Sequence, residues 1–133
     1  MTEAEVLKVI VNLLRSFNAL GFNQQHLQLP NEDQIFVAPT DKIWCRASIQ
    51  YADSRIVSVG SKPCKRNYGI INIQCFAPKG SGILDLAKFC DAWISHLEFW
   101  QKDHLEIRIA HAPQDMQDDN FYGKILRVEF QVG

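Results

Sequence analysis

The sequence predicts an α+β domain, a mainly antiparallel sheet of about four to six strands with two amphipathic helices packed on one face. Two observations predict it. Two segments repeat apolar residues at three- and four-residue steps, the period of a half-buried helix. Several others alternate apolar and polar residues, the period of a strand with one buried face. A chain of 133 residues has the length of a single domain and can bury a full core without a disulfide or a metal.

Thr2-Glu3-Ala4-Glu5 has capping-box spacing, a hydroxyl and a carboxylate set to satisfy the orphan amides of a helix start. Val6, Ile10, Leu13, Phe17 and Leu20 then form one stripe, Glu5, Lys8, Asn12 and Arg15 oppose it, and Gly21 is placed to end the helix in a left-handed cap. From Phe22 to Gln34 the chain is polar and aperiodic and reads as a loop, with a short strand expected from Ile35 to Ala38 before Pro39. Trp44 to Tyr51 alternates, Cys45, Ala47, Ile49 and Tyr51 facing one way and Trp44, Arg46, Ser48 and Gln50 the other. A separate strand is expected near Arg55 to Val59. Gly60-Ser61-Lys62-Pro63 breaks it and leaves Lys62, Lys65 and Arg66 in or beside an exposed loop.

Tyr68 to Ala77 reads as a strand with Ile71, Ile73 and Cys75 on the buried side. Pro78-Lys79-Gly80-Ser81-Gly82 ends it, and Ser81 is placed to cap a second helix whose stripe runs through Ile83, Leu86, Cys90, Trp93, Leu97 and Trp100. Leu105, Ile107 and Ile109, and later Leu126, Val128, Phe130 and Val132, mark two more half-polar strands joined by a polar stretch from Pro113 to Asn120.

Composition narrows the function classes. Hydrophobic residues at 47% and charged residues at 22% are ordinary for a globular domain, and no apolar run is long enough to span a bilayer. Thr-Glu-Ala-Glu after Met1 lacks the basic start and apolar block of a secretory signal, so a cytoplasmic setting is expected. A net charge of -1 gives no overall attraction for nucleic acid. Cys45, Cys64, Cys75 and Cys90 form no C-x-x-C pair, so four free thiols are expected rather than a zinc site or a redox motif.

Candidates for chemistry are few. His104-Leu105-Glu106 matches the H-x-E of zinc nucleobase deaminases and Pro63-Cys64 is like the start of their second motif, but Arg66-Asn67 stand where its second cysteine belongs and the order is reversed. As a row on a strand, His104, Glu106 and Arg108 need no catalyst to explain them. A cysteine nucleophile with a histidine has no family signature here, and no phosphate-binding glycine motif is present. Lys62, Lys65 and Arg66 beside Tyr68 form a small basic and aromatic group that suits a nucleic-acid patch; a solvated loop with ordinary charges is the favoured reading, and the same loop is equally a candidate assembly interface that docks onto another protein. No catalytic, cofactor or metal residue is assigned.

The middle of the chain resembles the tail terminator family of long-tailed bacteriophages and prophages. The resemblance runs from Leu29-Pro30-Asn31 through Phe36 and Pro39 to Trp44-Cys45-Arg46, then through Arg66-Asn67-Tyr68-Gly69 to Phe76-Ala77-Pro78-Lys79-Gly80-Ser81-Gly82, and includes the last strand, Ile125 to Val132. It implies a non-enzymatic virion protein without a cofactor. Its members assemble in the host cytoplasm, close into a homo-oligomeric ring, hexameric by the same resemblance, stop growth of the tail tube and meet the head connector or completion protein. Its implied partners are therefore copies of itself, the tail tube protein and the head connector, with no membrane and no specific nucleic acid. Other neck or tail-completion proteins are the nearest alternative, and a small enzyme using Cys64 or His104 or a nucleic-acid module using Lys62, Lys65 and Arg66 lie further off. Loops from Ala52 to Arg66 and from Pro113 to Asn120 are the expected arms for neighbouring copies.

Overall fold

Thr2 and Glu5 close the capping box: the Glu5 amide donates to Thr2 Oγ1 at 3.2 Å and the Thr2 amide to Glu5 Oε2 at 3.3 Å. The computed structural model describes residues 2–18, 26–30, 41–56, 65–116 and 120–133. From that cap α1 runs over Glu3–Arg15 and buries Val6, Ile10, Leu13 and Leu14, with Phe17 buried just beyond it. The helix stops at Ser16, whose hydroxyl donates to the Leu13 carbonyl at 2.6 Å, and so ends before the predicted cap. Leu20 and Gly21 lie outside the described residues, as do Ile35 to Ala38.

Among the described residues seven strands make one sheet in the order β1 (Leu27–Gln28), β2 (Trp44–Ile56), β3 (Lys65–Pro78), β7 (Phe121–Val132), β5 (Leu105–Ala110), β4 (Gln101–Lys102), and β6 (Gln114–Met116) also pairs with β7. Of these pairings, only that of β1 with β2 is parallel. Four long strands carry the sheet, and three of two or three residues extend its margins. Helix α2 (Leu84–Leu97) crosses between β3 and β4. The mainly antiparallel sheet with both helices on one face is the fold class the periodicities predict.

The core lies between that face and the helices. Cys45, Ala47, Ile71, Ile73, Cys75, Leu105, Ile107, Leu126, Val128, Phe130 and Val132 project from the sheet into it. Leu86, Phe89, Cys90, Trp93 and Leu97 meet them from α2. Phe17 stacks on Trp93 with ring centroids 3.8 Å apart and meets Phe89 edge-on at 5.5 Å, which docks the end of α1 on α2. His96 adds a further hydrogen bond at 2.8 Å to the Leu13 carbonyl, which already accepts from Ser16 at the helix terminus.

Several boundaries differ from the sequence reading, each for a local reason. Leu27–Gln28 forms a strand inside the expected loop because its residues pair with Cys45 and Arg46, a tertiary contact without local periodicity. No separate strand begins near Arg55: β2 continues to Ile56, and one extra residue between Tyr51 and Asp53 makes a bulge that shifts the alternation. Its partner β3 starts at Lys65, so the expected arm is a strand pair rather than a loop through residues 52–66, and only 57–64 lie outside the described residues. Ser81 does not cap α2; its hydroxyl donates to the Pro78 carbonyl at 2.6 Å and closes the turn, while Ile83 becomes the N-cap and is 66% exposed. Phe89 takes the core place that Ile83 does not. A second bulge, between Ile107 and Ala110, turns Ile109 out of the core. Within the polar stretch from Pro113 to Asn120, Gln114–Met116 pairs with β7 after Pro113, which has no amide to donate, has interrupted the ladder from β5.

Candidate assembly surface

The predicted interface residues fall on the strand pair. Lys65, Arg66 and Tyr68 lie on β3 opposite Ile56, Arg55 and Asp53, and Lys62 lies outside the described residues. This pair runs beyond the rest of the sheet: the last β3–β7 pair is Asn67 with Val132, yet the β2–β3 ladder continues to Ile56 with Lys65. Arg66 is half-buried, and its Nε meets no acceptor among the described residues. Arg66 and Tyr68 share with Ile70, Asn72 and Gln74 the face turned away from the helices, as the period of two requires.

That face changes character along its length. At one end Trp44 stacks on Phe76 with centroids 4.2 Å apart, Phe121 meets Trp44 edge-on at 5.4 Å, and the Arg46 guanidinium sits 5.6 Å from the Trp44 ring. The middle is a ladder of amide and charged side chains. Arg46 donates to Gln28 at 2.8 Å, Asn72 to Gln50 at 3.4 Å, and Gln131 to Glu106 at 2.8 Å. Polar residues of neighbouring strands satisfy each other there, directly opposed for Arg46–Gln28 and Gln131–Glu106 and diagonally for Asn72–Gln50. His111 and Glu129 pair at 2.6 Å with both side chains about half exposed, an ion pair worth about 0–1 kcal/mol at most when the imidazole is charged.

At the other end the face is concave. Tyr68, Ile70, Phe99, Arg108, Ile109 and Glu129 line a hollow of about 380 Å³. Phe99 follows α2 in a left-handed backbone conformation with φ 63°, which costs a non-glycine residue about 1–2 kcal/mol. Its amide donates to the Arg108 carbonyl at 3.3 Å, and the Ala110 amide donates to Glu98 Oε2 at 2.9 Å, so the turn and the β5 bulge hold each other. The result is outward display of two apolar side chains, Phe99 at 75% and Ile109 at 47% exposure. The helix stripe read from sequence runs on to Trp100 and passes Phe99 by, although α2 itself ends at Leu97, and the alternation read from sequence puts Ile109 inside, so the sequence marks neither as exposed.

The residues weighed for chemistry are dispersed. His104 is exposed in the tight turn between β4 and β5, and Glu106 is engaged by Gln131. Cys45, Cys75 and Cys90 are buried free thiols of the core, and Cys64 lies outside the described residues. Burial pushes the Cys45 thiol far up, and the hydrogen bond with Cys90, together with burial, holds Cys75 well above the ordinary thiol range. Cys45 and Cys75, held protonated, are poor nucleophiles suited to packing, whereas the hydrogen bond with Cys75 shifts Cys90 the other way, downward. Among the described residues no group of three or more His, Cys, Asp or Glu is placed to hold a metal ion, and no helix is long and apolar enough to cross a membrane. No family model and no curated protein matches the chain.

Proposed function

We propose that this protein is a structural subunit of a phage or prophage tail, which closes with copies of itself into a ring at the end of the tail tube. There it stops tube growth and offers a surface to the head connector. The observation that carries the reading is the β2–β3 pair, which continues past the end of β7 and gives the subunit an arm outside its own sheet. The stretch is basic in sequence, with Arg55, Lys62, Lys65 and Arg66 against Asp53, and a strand pair at a sheet margin is suited to reach a neighbour rather than to complete the core. The polar ladder supports the same reading, because it presents a broad surface with hydrogen-bonding groups in fixed places. The motifs from Trp44-Cys45-Arg46 to Phe76-Ala77-Pro78 carry the resemblance to tail terminators, and the α+β sheet is compatible with it.

The reading is tested on tube growth. Purified protein added to polymerising tail-tube protein should bind tube ends and shorten the tubes in proportion to its concentration, as seen by electron microscopy. Tubes of unchanged length with bare ends would remove the proposal.

A further inference from the structure

Four large hydrophobic side chains stand exposed among the described residues, and they fall into two patches at opposite ends of α2. Ile83 and Leu84, 66% and 68% exposed, form a knob at its start. Phe99 and Ile109 rim the hollow beside its end, and the 14-residue helix separates the two by about 20 Å at 1.5 Å per residue. Scattered exposed apolar residues need no explanation, but a pair on a projection and a pair in a concavity do.

We propose that the Ile83–Leu84 knob of one copy seats in the Phe99–Ile109 hollow of the next, making a head-to-tail contact between identical chains. The proposal rests on the ring reading above and names its contact. Shape is one part of the argument. Every residue from Lys79 to Asp85 is exposed, and Gly80 and Gly82, at φ 85° and 86°, fold this stretch into a turn that carries the knob. The hollow of about 380 Å³ has room for two aliphatic side chains. Tyr68 and Ile70 form apolar parts of its lining.

Charge is the other part, and it selects a second copy as the occupant. Asp85 follows the knob directly and is exposed. Arg108 and Glu129 both line the hollow; Glu129 is engaged by His111 at 2.6 Å, while the Arg108 guanidinium makes a long hydrogen bond to Gln131 at 3.4 Å and is exposed to an incoming carboxylate. A carboxylate arriving with the knob would meet this guanidinium as the apolar groups displace water, so both the apolar and the charged halves of the contact are complementary. Because knob and hollow are different surfaces of one chain, the contact is heterologous and repeats from copy to copy until it closes.

Charge exchange tests the contact. Sedimentation velocity over a wide concentration range would compare the wild-type protein with Asp85→Arg, Arg108→Glu, the double variant that carries both, and Leu84→Asp. All three sites are exposed, so circular dichroism should show unchanged folds. Each single charge reversal should weaken self-association by about tenfold or more, since it opposes like charges, and the double variant should regain most of the wild-type affinity. Leu84→Asp should abolish association. Wild-type protein that remains monomeric throughout, with no association to weaken, would overturn the proposal. Association indifferent to every variant would overturn it too, while leaving the ring reading in place with another contact. Single variants that weaken association while the double variant adds their losses would refute the Asp85–Arg108 pairing and the proposal with it. Variants that leave self-association intact but abolish binding to tail-tube protein would show a different occupant and equally end the proposal.

Discussion

A Cβ placed on Gly69 would collide with the Phe130 ring and lie 2.8 Å from the Gln50 carbonyl. Gly69 stands between Tyr51 on β2 and Phe130 on β7, and the Phe130 ring crosses the space its missing side chain leaves to meet Tyr51 at 5.8 Å. The sheet therefore uses an aromatic ring to cover a glycine that would otherwise weaken the strand. Gly69→Ala should destabilise the fold by about 1–3 kcal/mol, because a buried ring and a backbone carbonyl must both shift. A urea titration reads this as a lower midpoint with unchanged slope; an unchanged midpoint would show that the strands adjust without strain. The sequence offers Gly69 as a motif residue, but its partner lies on another strand far along the chain and no spacing rule reaches it. Ile83 shows the converse. It fits a helix stripe, yet the left-handed glycines of the preceding turn start the helix so that Ile83 faces outward.

Helix α1 separates the work of a cap from that of packing. Its sequence displays both, a capping box at Thr2 and Glu5 and an apolar stripe, and both are found in place. A capping residue is worth about 1 kcal/mol, whereas truncating a buried phenylalanine costs about 3–5 kcal/mol. Thr2→Ala should therefore leave a cooperative transition shifted slightly, and Phe17→Ala should remove a large share of the roughly 5–15 kcal/mol typical of a domain. Thermal unfolding of the two variants checks the ranking, and equal losses would mean that α1 is held by its end rather than by the Phe17–Trp93 stack. At this scale the long strands were legible because each buries one face, and Leu126, Val128, Phe130 and Val132 show it most cleanly. The bulges at Tyr51/Asp53 and Ile107/Ala110 were not, since one inserted residue leaves no mark in composition. The short strands β1, β4 and β6 were hidden for another reason. Two or three residues carry no period, and they are strands only because a long neighbour supplies their hydrogen bonds.

On the scale of the whole molecule, one face of the sheet is given to the helices and the other to polar pairs, an aromatic stack and the apolar hollow. The division into a helix-covered face and a polar face was legible in the sequence, whereas the hollow arises from a turn and a bulge that only the fold brings together. The basic group at Lys65, Arg66 and Tyr68 was legible as residues and misplaced as structure, because Gly60 to Pro63 read as the start of a loop reaching Arg66, whereas β3 already begins at Lys65. On the proposed reading, the arm, the knob beside Asp85 and the hollow beside Arg108 are distinct surfaces that would join neighbours in one direction, the requirement for a closed ring. Light scattering across a wide concentration range, alone and with purified tail-tube protein, measures that closure directly. The account predicts one discrete assembly, about six times the 15.2 kDa mass of the chain, that forms as concentration rises or on the tube and does not grow further. Monomers or two-fold dimers alone, even in the presence of tubes, would contradict it.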